Sequence, residues 1–230
     1  MGHIANALGL VLKAIHTAVG SYGLAIILFT ILVKIILMPL MVKQTKSTFA
    51  MSEINPKIKE IQAKYKNKPE KQNEEISKLY KESDINPLSG CLPMLVQLPI
   101  LFALFWVFRD PMKYGVFETK QAFDAANVGF VWVKSLTKPD YILAILSGVS
   151  AYVMQMVTVP KDQMQGPMKV MNYMMPALSL FWGFSFPAAL TLYWTVSNLF
   201  SVLQHKIITK PLKDKLIREK ELKANGKISK

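Results

Sequence analysis

Long apolar runs alternate with short charged segments along this chain. The first run, Tyr22 to Val42, is long enough to cross the ~30 Å hydrocarbon core of a bilayer. Four more runs follow, at about Leu92 to Phe108, Tyr141 to Val159, Val170 to Gly183, and Ala188 to Leu203. The pattern predicts an all-α integral membrane protein with five transmembrane helices. We place the first span at 21–42, the second at 88–109, and the third to fifth at 141–205.

The N-terminal residues 1–20 have a different, amphipathic pattern. Apolar side chains recur at helical spacing, and polar side chains lie opposite them, which is typical of a helix in the membrane interface. The apolar set is Ile4, Leu8, Val11, Leu12, Ile15 and Val19, and the polar set is Asn6, Lys13 and Thr17. A signal-peptide remnant is the alternative, but no basic region precedes the helix and no small-residue cleavage site is evident.

Composition and charge support the membrane assignment and suggest its orientation. Hydrophobic residues make up 51% of the chain and the mean hydropathy is +0.25, which excludes an ordinary soluble domain. The net charge of +13 is concentrated in two segments, at 43–87 with ten Lys against seven acidic residues and at 206–230 with nine Lys and Arg against three. The positive-inside rule places both in the cytosol, so the N-terminus and the loop 110–140 should lie outside.

The segment 43–87 is predicted to form a charged helical hairpin. One apolar stripe contains Ile54, Ile58, Ile61 and Tyr65, and a shorter one contains Ile76, Leu79 and Tyr80. A turn is expected between them at Asn67, Lys68 and Pro69. The hairpin is either a solvated connector between two spans or a mobile docking element beneath the membrane.

Lys34 lies inside the first apolar run and is the main candidate for a functional residue. A cation at the centre of a membrane helix costs roughly 2.5–3.5 kcal/mol, so such a residue usually faces a polar cavity. Thr30 lies one turn earlier on the same face of the helix. The alternative is that the Lys34 side chain only snorkels, extending its ammonium group towards the membrane surface.

Several other polar or amphipathic side chains occur in the predicted spans. Polar groups in hydrocarbon need partners or water, so we expect these side chains to converge with Lys34 and Thr30 on one cavity. They are Gln97, Gln155, Tyr193, Trp194 and Asn198. The alternative is that the amides only link helices, at ~0.6 kcal/mol each, and that the aromatic residues only pack.

No motif in the sequence indicates an enzyme. The single cysteine, Cys91, permits no intrachain disulfide and is expected to be a small core residue. His3, His16 and His205 fall in separate segments without metal-ligand spacing, and no phosphate-binding loop occurs. We therefore expect no cofactor, no metal and no catalytic site.

The segment Asn86 to Trp106 reads NPLSGCLPMLVQLPILFALFW. It resembles the motif at the second conserved span of YidC-type membrane protein insertases, the bacterial branch of the family that includes the mitochondrial Oxa and chloroplast Alb proteins. The order of Thr30 and Lys34 and the run LYWTVSN at Leu192 to Asn198 add to the resemblance. Where this chain has Lys34, similar proteins of the Gram-positive type carry Arg, so bidentate recognition of a carboxylate is lost.

The resemblance implies a plasma-membrane protein of bacteria, with five conserved helices, the N-terminus outside, the C-terminus in the cytosol, and a hydrophilic groove open to the cytosol and to lipid. The chain matches the minimal, Gram-positive-like form without a large extracellular domain.

We expect an insertase that passes short hydrophilic segments of nascent membrane proteins through this groove and releases apolar segments into lipid. Expected partners are nascent membrane proteins, membrane lipids, the ribosome through the tail 206–230, and the Sec translocon. The alternatives are a secondary transporter of an anionic solute, and a structural assembly partner. Solvent accessibility of a Lys34→Cys variant would separate the structural assembly partner from the insertase and the transporter.

Overall fold

A computed structural model describes residues 2–83, 85–86, 92–126, 129–159 and 167–224. Within these ranges the secondary structure is helical, and a single isolated bridge joins Phe130 to Val133. Cys91 and most of the NPLSGC motif lie outside the described residues. The helices are α1 (Gly2–Val19), α2 (Tyr22–Ile36), α3 (Met38–Lys64), α4 (Pro69–Glu82), α5 (Leu92–Arg109), α6 (Lys120–Ala126), α7 (Tyr141–Thr158), α8 (Pro167–Gly183), α9 (Ala188–Gln204) and α10 (Lys210–Ala224), with a π-helical turn at His205–Thr209.

The helices α5, α7, α8 and α9 match the last four apolar runs closely, and α2 covers the first part of the first run. Among the described helices, α7 alone has the length and hydropathy to cross a membrane by itself, and α2 and α3 meet the same test jointly. One face of α7 is apolar and exposed, with Ile142, Ile145 and Val149 each more than half exposed. Such a surface is stable against lipid and unfavourable in water.

The chain forms two compact units, of which the first contains residues 1–37 and 98–207. Its core lies where α2, α5 and α9 meet, and its largest buried side chains include Phe29, Phe108 and Tyr193. The fully buried Ala103, Ala188 and Ala189 allow the helix backbones to approach closely, as small residues do in membrane bundles.

The helices α7 and α8 are closest at one end. A Cβ atom on Gly183 would lie 2.8 Å from Ala144, and one on Gly148 would lie 3.0 Å from the Leu180 Cβ. Because glycine has no side chain, the two backbones meet directly at this end.

The helix α1 docks on the segment 110–140 through its smallest residues. Ala5, Gly9 and Leu12 are buried, and Lys13 Nζ lies 2.5 Å from Glu118 Oε1. That contact lowers the pKa of the Glu118 carboxyl below its usual range. The predicted apolar stripe of α1 is therefore divided, since Leu12 faces the protein while Ile4 and Val11 face outwards, each at least 40% exposed.

The segment 110–140, expected to be a loop, is packed rather than extended from the surface. It contains α6, and it contributes four buried apolar side chains to the core of the first unit, Val116, Phe117, Val133 and Leu136. Rings of the segment and of α1 and α2 meet edge to face, with Phe117 5.0 Å from His16 and 5.2 Å from Tyr22 between ring centroids. Burial lowers the pKa of His16, which favours the neutral imidazole.

The second unit contains residues 38–97 and 208–230. Within the predicted first span, 21–42, α2 ends at Ile36 and α3 begins at Met38 with Pro39 in its first turn. Proline is well tolerated there because its missing N–H would be unpaired in any case. Leu37 therefore separates two helices within the apolar run, and the bounds of the span stay a prediction.

The helices α3 and α4 form the predicted hairpin, joined by a turn at residues 65–68. The Gln72 side-chain amide donates a hydrogen bond to the Gln62 carbonyl, at 3.1 Å. Ile54 is buried, and the other residues of the two predicted apolar stripes are half-buried. On the other side of α3, Lys220 of α10 forms an ion pair with Glu53.

The close approach at Gly9 predicts the effect of one added methyl group. A Cβ on Gly9 would lie 2.1 Å from the Tyr114 carbonyl oxygen, so Gly9→Ala should displace α1 and destabilise the protein by about 1–3 kcal/mol, as overpacking does. Thermal unfolding in detergent measures this. Gly2→Ala is the control, because no atom lies within 4 Å of a Cβ at that position. Equal melting temperatures for the two variants would show that α1 is not docked.

The low burial of the hairpin predicts its dynamics. Residue burial in α3 is limited to Thr45 and Ile54, and α4 has no buried residue. Local opening is easiest where few apolar contacts are lost, so the amides of residues 53–83 should exchange with solvent much faster than those of α9. Hydrogen exchange with mass spectrometry measures both regions in one sample. Protection equal to that of α9 would favour a rigid platform over a mobile docking element.

Candidate functional site

Polar contacts link four helices of the first unit, α2 to α9, α9 to α7, and α7 to α8. Lys34 Nζ on α2 donates to Ser201 Oγ on α9 at 3.1 Å, and Asn198 Nδ2 on α9 donates to Ser150 Oγ on α7 at 3.1 Å. Between α7 and α8, the hydroxyls of Ser147 and Ser179 are 2.9 Å apart. We call this set the polar seam; it consists of Lys34, Ser201, Asn198, Ser150, Ser147 and Ser179.

The helical repeat brings these side chains into line. Asn198 and Ser201 are one turn apart on α9, and Ser147 and Ser150 are one turn apart on α7, so each pair shares a helix face. The Ser150 hydroxyl donates to the Ser147 carbonyl at 2.9 Å, which leaves its oxygen free to accept from Asn198. The Ser201 hydroxyl likewise donates to the Ser197 carbonyl at 2.8 Å and accepts from Lys34.

Lys34 is half-buried in the last turn of α2. A cation there is favoured by the negative end of the helix dipole. The adjacent Ile35 and Ile36 are exposed, as expected of residues next to lipid. Within the described parts of the chain, Lys34 forms no ion pair with a carboxylate.

A cavity of about 190 Å³ lies among α5, α7, α8 and α9. Three of its lining residues are polar, namely Gln155, Ser179 and Asn198, of which the last two belong to the polar seam. On one side, the rings of Trp182 and Trp194 stack with centroids 5.8 Å apart. The remaining lining is apolar, from Leu101, Ala151, Met154, Met175, Pro176 and Leu178. The sequence led us to expect a mainly hydrophilic groove, whereas this cavity is mainly apolar.

The structure brings four of the seven predicted site residues to the seam or to the cavity. Gln155, Trp194 and Asn198 line the cavity, and Lys34 belongs to the seam through its hydrogen bond to Ser201 without lining the cavity.

The other three predicted site residues are placed differently. The fully buried Thr30 donates to the Ile26 carbonyl at 2.7 Å, and Tyr193 is buried with its ring 6.4 Å from that of Phe108. Gln97 is half-buried and belongs to the second unit. A role for each of these three in a groove stays a prediction.

Sequence reasoning missed the serines of the seam. Serine is common in membrane helices, and no single one stands out in the sequence. The spacing of Asn198 and Ser201, repeated by Ser147 and Ser150, was the available signal.

The hydroxyls and amides of the site can bind polar peptide groups, and its one ammonium group can bind a carboxylate. Within the described residues, no group of three or more His, Cys, Asp or Glu side chains could hold a metal ion.

Comparison with known proteins identifies the family. The family model described as 60Kd inner membrane protein matches residues 14–215. A protein of Clostridium perfringens named Membrane protein insertase YidC is 39% identical, over 95% of this chain and 94% of that protein. One of the same name from Clostridium tetani is 40% identical, over 94% of this chain and 97% of that protein.

A solved structure agrees with the sequence comparisons. A crystal structure of an active YidC insertase is 27% identical, with a TM-score of 0.64, and the match covers 87% of this chain and 45% of that one. The relatives are named as insertases and the family is not one of enzymes, as the sequence predicted. The chain is therefore an all-helical membrane protein that belongs to the YidC family of membrane protein insertases.

Proposed function

We propose that this protein inserts nascent membrane proteins, and that it moves their short hydrophilic segments along the polar seam. The observation that carries the proposal is the hydrogen bond from Lys34 to Ser201, which holds a cation at one end of a row of hydroxyls and an amide. Among the described residues, no carboxylate forms an ion pair with this cation. Such a row lowers the cost of carrying polar peptide through lipid, because it replaces lost hydrogen bonds to water.

The charge of Lys34 selects acidic segments. Coulomb attraction is stronger near lipid than in water, since the effective dielectric constant is lower. A carboxylate of the substrate approaches Lys34 Nζ, and neighbouring peptide groups bond to the seam. The adjoining apolar segment then passes into lipid over the exposed faces of α7 and α8, and this step is favourable by about 0.8 kcal/mol per buried methylene.

The orientation proposed from charge assigns the two ends of the α7–α8 pair to the two sides of the membrane. In a five-span topology with the N-terminus outside, the connection between Gly183 and Ala188 lies outside and the basic segments lie in the cytosol of a bacterial cell. The direct backbone contact of Gly183 with Ala144 is then at the outer end. The cavity at Met154 and Met175 is towards the cytosol, the side from which a nascent chain arrives.

The tail supplies a second proposed contact, with the ribosome. In α10, Lys210, Lys215 and Arg218 are exposed. Lys215 lies 3.9 Å from Glu219 on the same helix, and Lys220 is paired with Glu53. Exposed cations on one short helix attract the phosphates of RNA without reading sequence. Cooperation with the Sec translocon is part of the proposal on the basis of the resemblance alone.

Reversing the charge at position 34 tests the function. Lys34→Glu should abolish insertion of a substrate with an acidic translocated segment, because repulsion replaces attraction in a site of low dielectric constant. Lys34→Arg should retain insertion. The measurement is protease protection of a labelled substrate in reconstituted vesicles.

The control is Lys120→Glu, which makes the same charge change at an exposed position of α6. It should insert the substrate as the wild type does. A substrate whose translocated segment carries no acidic residue should be much less sensitive to Lys34→Glu. Full activity of Lys34→Glu on the acidic substrate would remove Lys34 from the mechanism.

Deletion of residues 210–230 should weaken ribosome binding, because it removes basic groups that release counterions from RNA. Cosedimentation of vesicles with ribosomes over a range of salt concentrations measures the affinity and its salt slope. Insertion of substrates delivered after translation should persist. A triple change of Lys210, Lys215 and Arg218 to Gln, which keeps the helix, should reproduce the loss. Equal binding and an equal salt slope for the deletion would place the ribosome contact elsewhere.

A further inference from the structure

A second cavity, of about 290 Å³, lies at the end of α5 and serves no step of the proposed insertion. Its lining combines one guanidinium group, two hydroxyls and apolar rings, from Arg109, Thr137, Ser185, Phe105, Phe186, Pro139 and Pro187. All of these residues belong to the first unit. The cavity lies where the apolar helix α5 gives way to the polar segment after it, which is the level of lipid headgroups.

Arg109 has the geometry of an anion-binding residue. It is exposed, and its Cζ lies 5.7 Å from the centre of the Phe105 ring, which holds the guanidinium in position through a cation–π contact. In the described residues Arg109 forms no ion pair with a carboxylate. The donors of a guanidinium match the spacing of phosphate oxygens.

Asp110 and Asp140 adjoin the cavity-lining residues in the sequence, and each accepts hydrogen bonds from neighbouring N–H groups. Asp110 accepts from the Lys113 backbone N–H at 3.2 Å. Asp140 caps α7 by accepting from the Leu143 N–H at 2.8 Å, and it also accepts from the Trp132 indole at 3.3 Å. Lys138, between the lining residues Thr137 and Pro139, is exposed and adds a second positive charge.

An apolar track leads away from Arg109 along α5. Trp106 is 45% exposed and Phe102 is 51% exposed. Their spacing places both on the same helix face as Arg109. A tryptophan at this depth is typical of the membrane interface, and the rings continue into the hydrocarbon region.

We infer that this cavity binds one anionic phospholipid, with the headgroup phosphate on Arg109 and an acyl chain along Trp106 and Phe102. The Ser185 hydroxyl is exposed and has one weak acceptor, the Phe181 carbonyl at 3.5 Å, so it can turn to donate to a phosphate oxygen. A free phosphate would use the polar groups but gain nothing from the apolar track. This distinction separates the lipid from a soluble anion.

Native mass spectrometry of the purified full chain, titrated with dioleoylphosphatidylglycerol in detergent, tests the inference. At low lipid concentration the wild type should bind one lipid molecule. Arg109→Gln should bind it roughly tenfold more weakly, as expected from the loss of a charged hydrogen bond. Arg109→Lys should fall between them. Lys113→Gln is the matched control, because it removes an exposed positive charge close by in sequence whose ammonium lies over Tyr114 and not in the cavity.

Two other ligands distinguish an anionic lipid from a zwitterionic lipid and from a soluble anion. Dioleoylphosphatidylcholine should bind several-fold more weakly than phosphatidylglycerol, and inorganic phosphate should not displace the bound lipid. Equal retention by wild type and Arg109→Gln would overturn the inference, as would displacement by inorganic phosphate, which would indicate a site for a soluble anion. An unchanged melting temperature for Arg109→Gln would show that the variant folds. If its melting temperature falls, Trp106→Ala, which shortens the apolar track, should weaken lipid binding in the same measurement.

Discussion

Polar side chains on helices that cross lipid must find partners within the protein, because hydrocarbon offers none. In the first unit this constraint is met by pairing helices through small hydroxyls. Asn198 on α9 reaches Ser150 on α7, and Ser147 reaches Ser179 on α8. These contacts set which faces of α7, α8 and α9 meet. They also concentrate the polar groups in one row, so the remaining faces can be apolar and turned to lipid.

The helices were predictable because their causes are local. A short stretch of sequence is enough to recognise each of them, as with the runs of apolar residues, the N-cap of α7 at Asp140 and the turn before Pro69. The packing of the segment 110–140 was not predicted, because its contacts are distant in sequence. Phe117 is buried against rings of α1 and α2, and nothing near Phe117 reveals them. The break at Leu37 had a signal in Pro39, which occupies the first turn of α3 rather than continuing α2.

The candidate site was predictable where a side chain costs much free energy to place in an apolar segment. A lysine in an apolar run has few explanations, and Lys34 indeed reaches a polar partner across the bundle. Hydroxyls have no such cost, since a membrane helix can satisfy them with its own carbonyls, as Thr30 does with Ile26. Ser201 does both, donating within α9 and accepting from α2. The sequence cannot distinguish these two uses of a hydroxyl, because the difference lies in the partner helix.

The direct contact of α7 with α8 at Gly183 and Ala144 limits the capacity of the cavity beyond it. The cavity lining on α7 extends from Ala151 to Gln155, roughly 6 Å along the helix at ~1.5 Å per residue. An extended peptide rises about 3.3 Å per residue, so only about two residues of it fit along this lining at once. In the proposed mechanism, a long polar segment would pass in successive short lengths, each released before the next enters. The proposed route therefore favours substrates whose translocated segments are short.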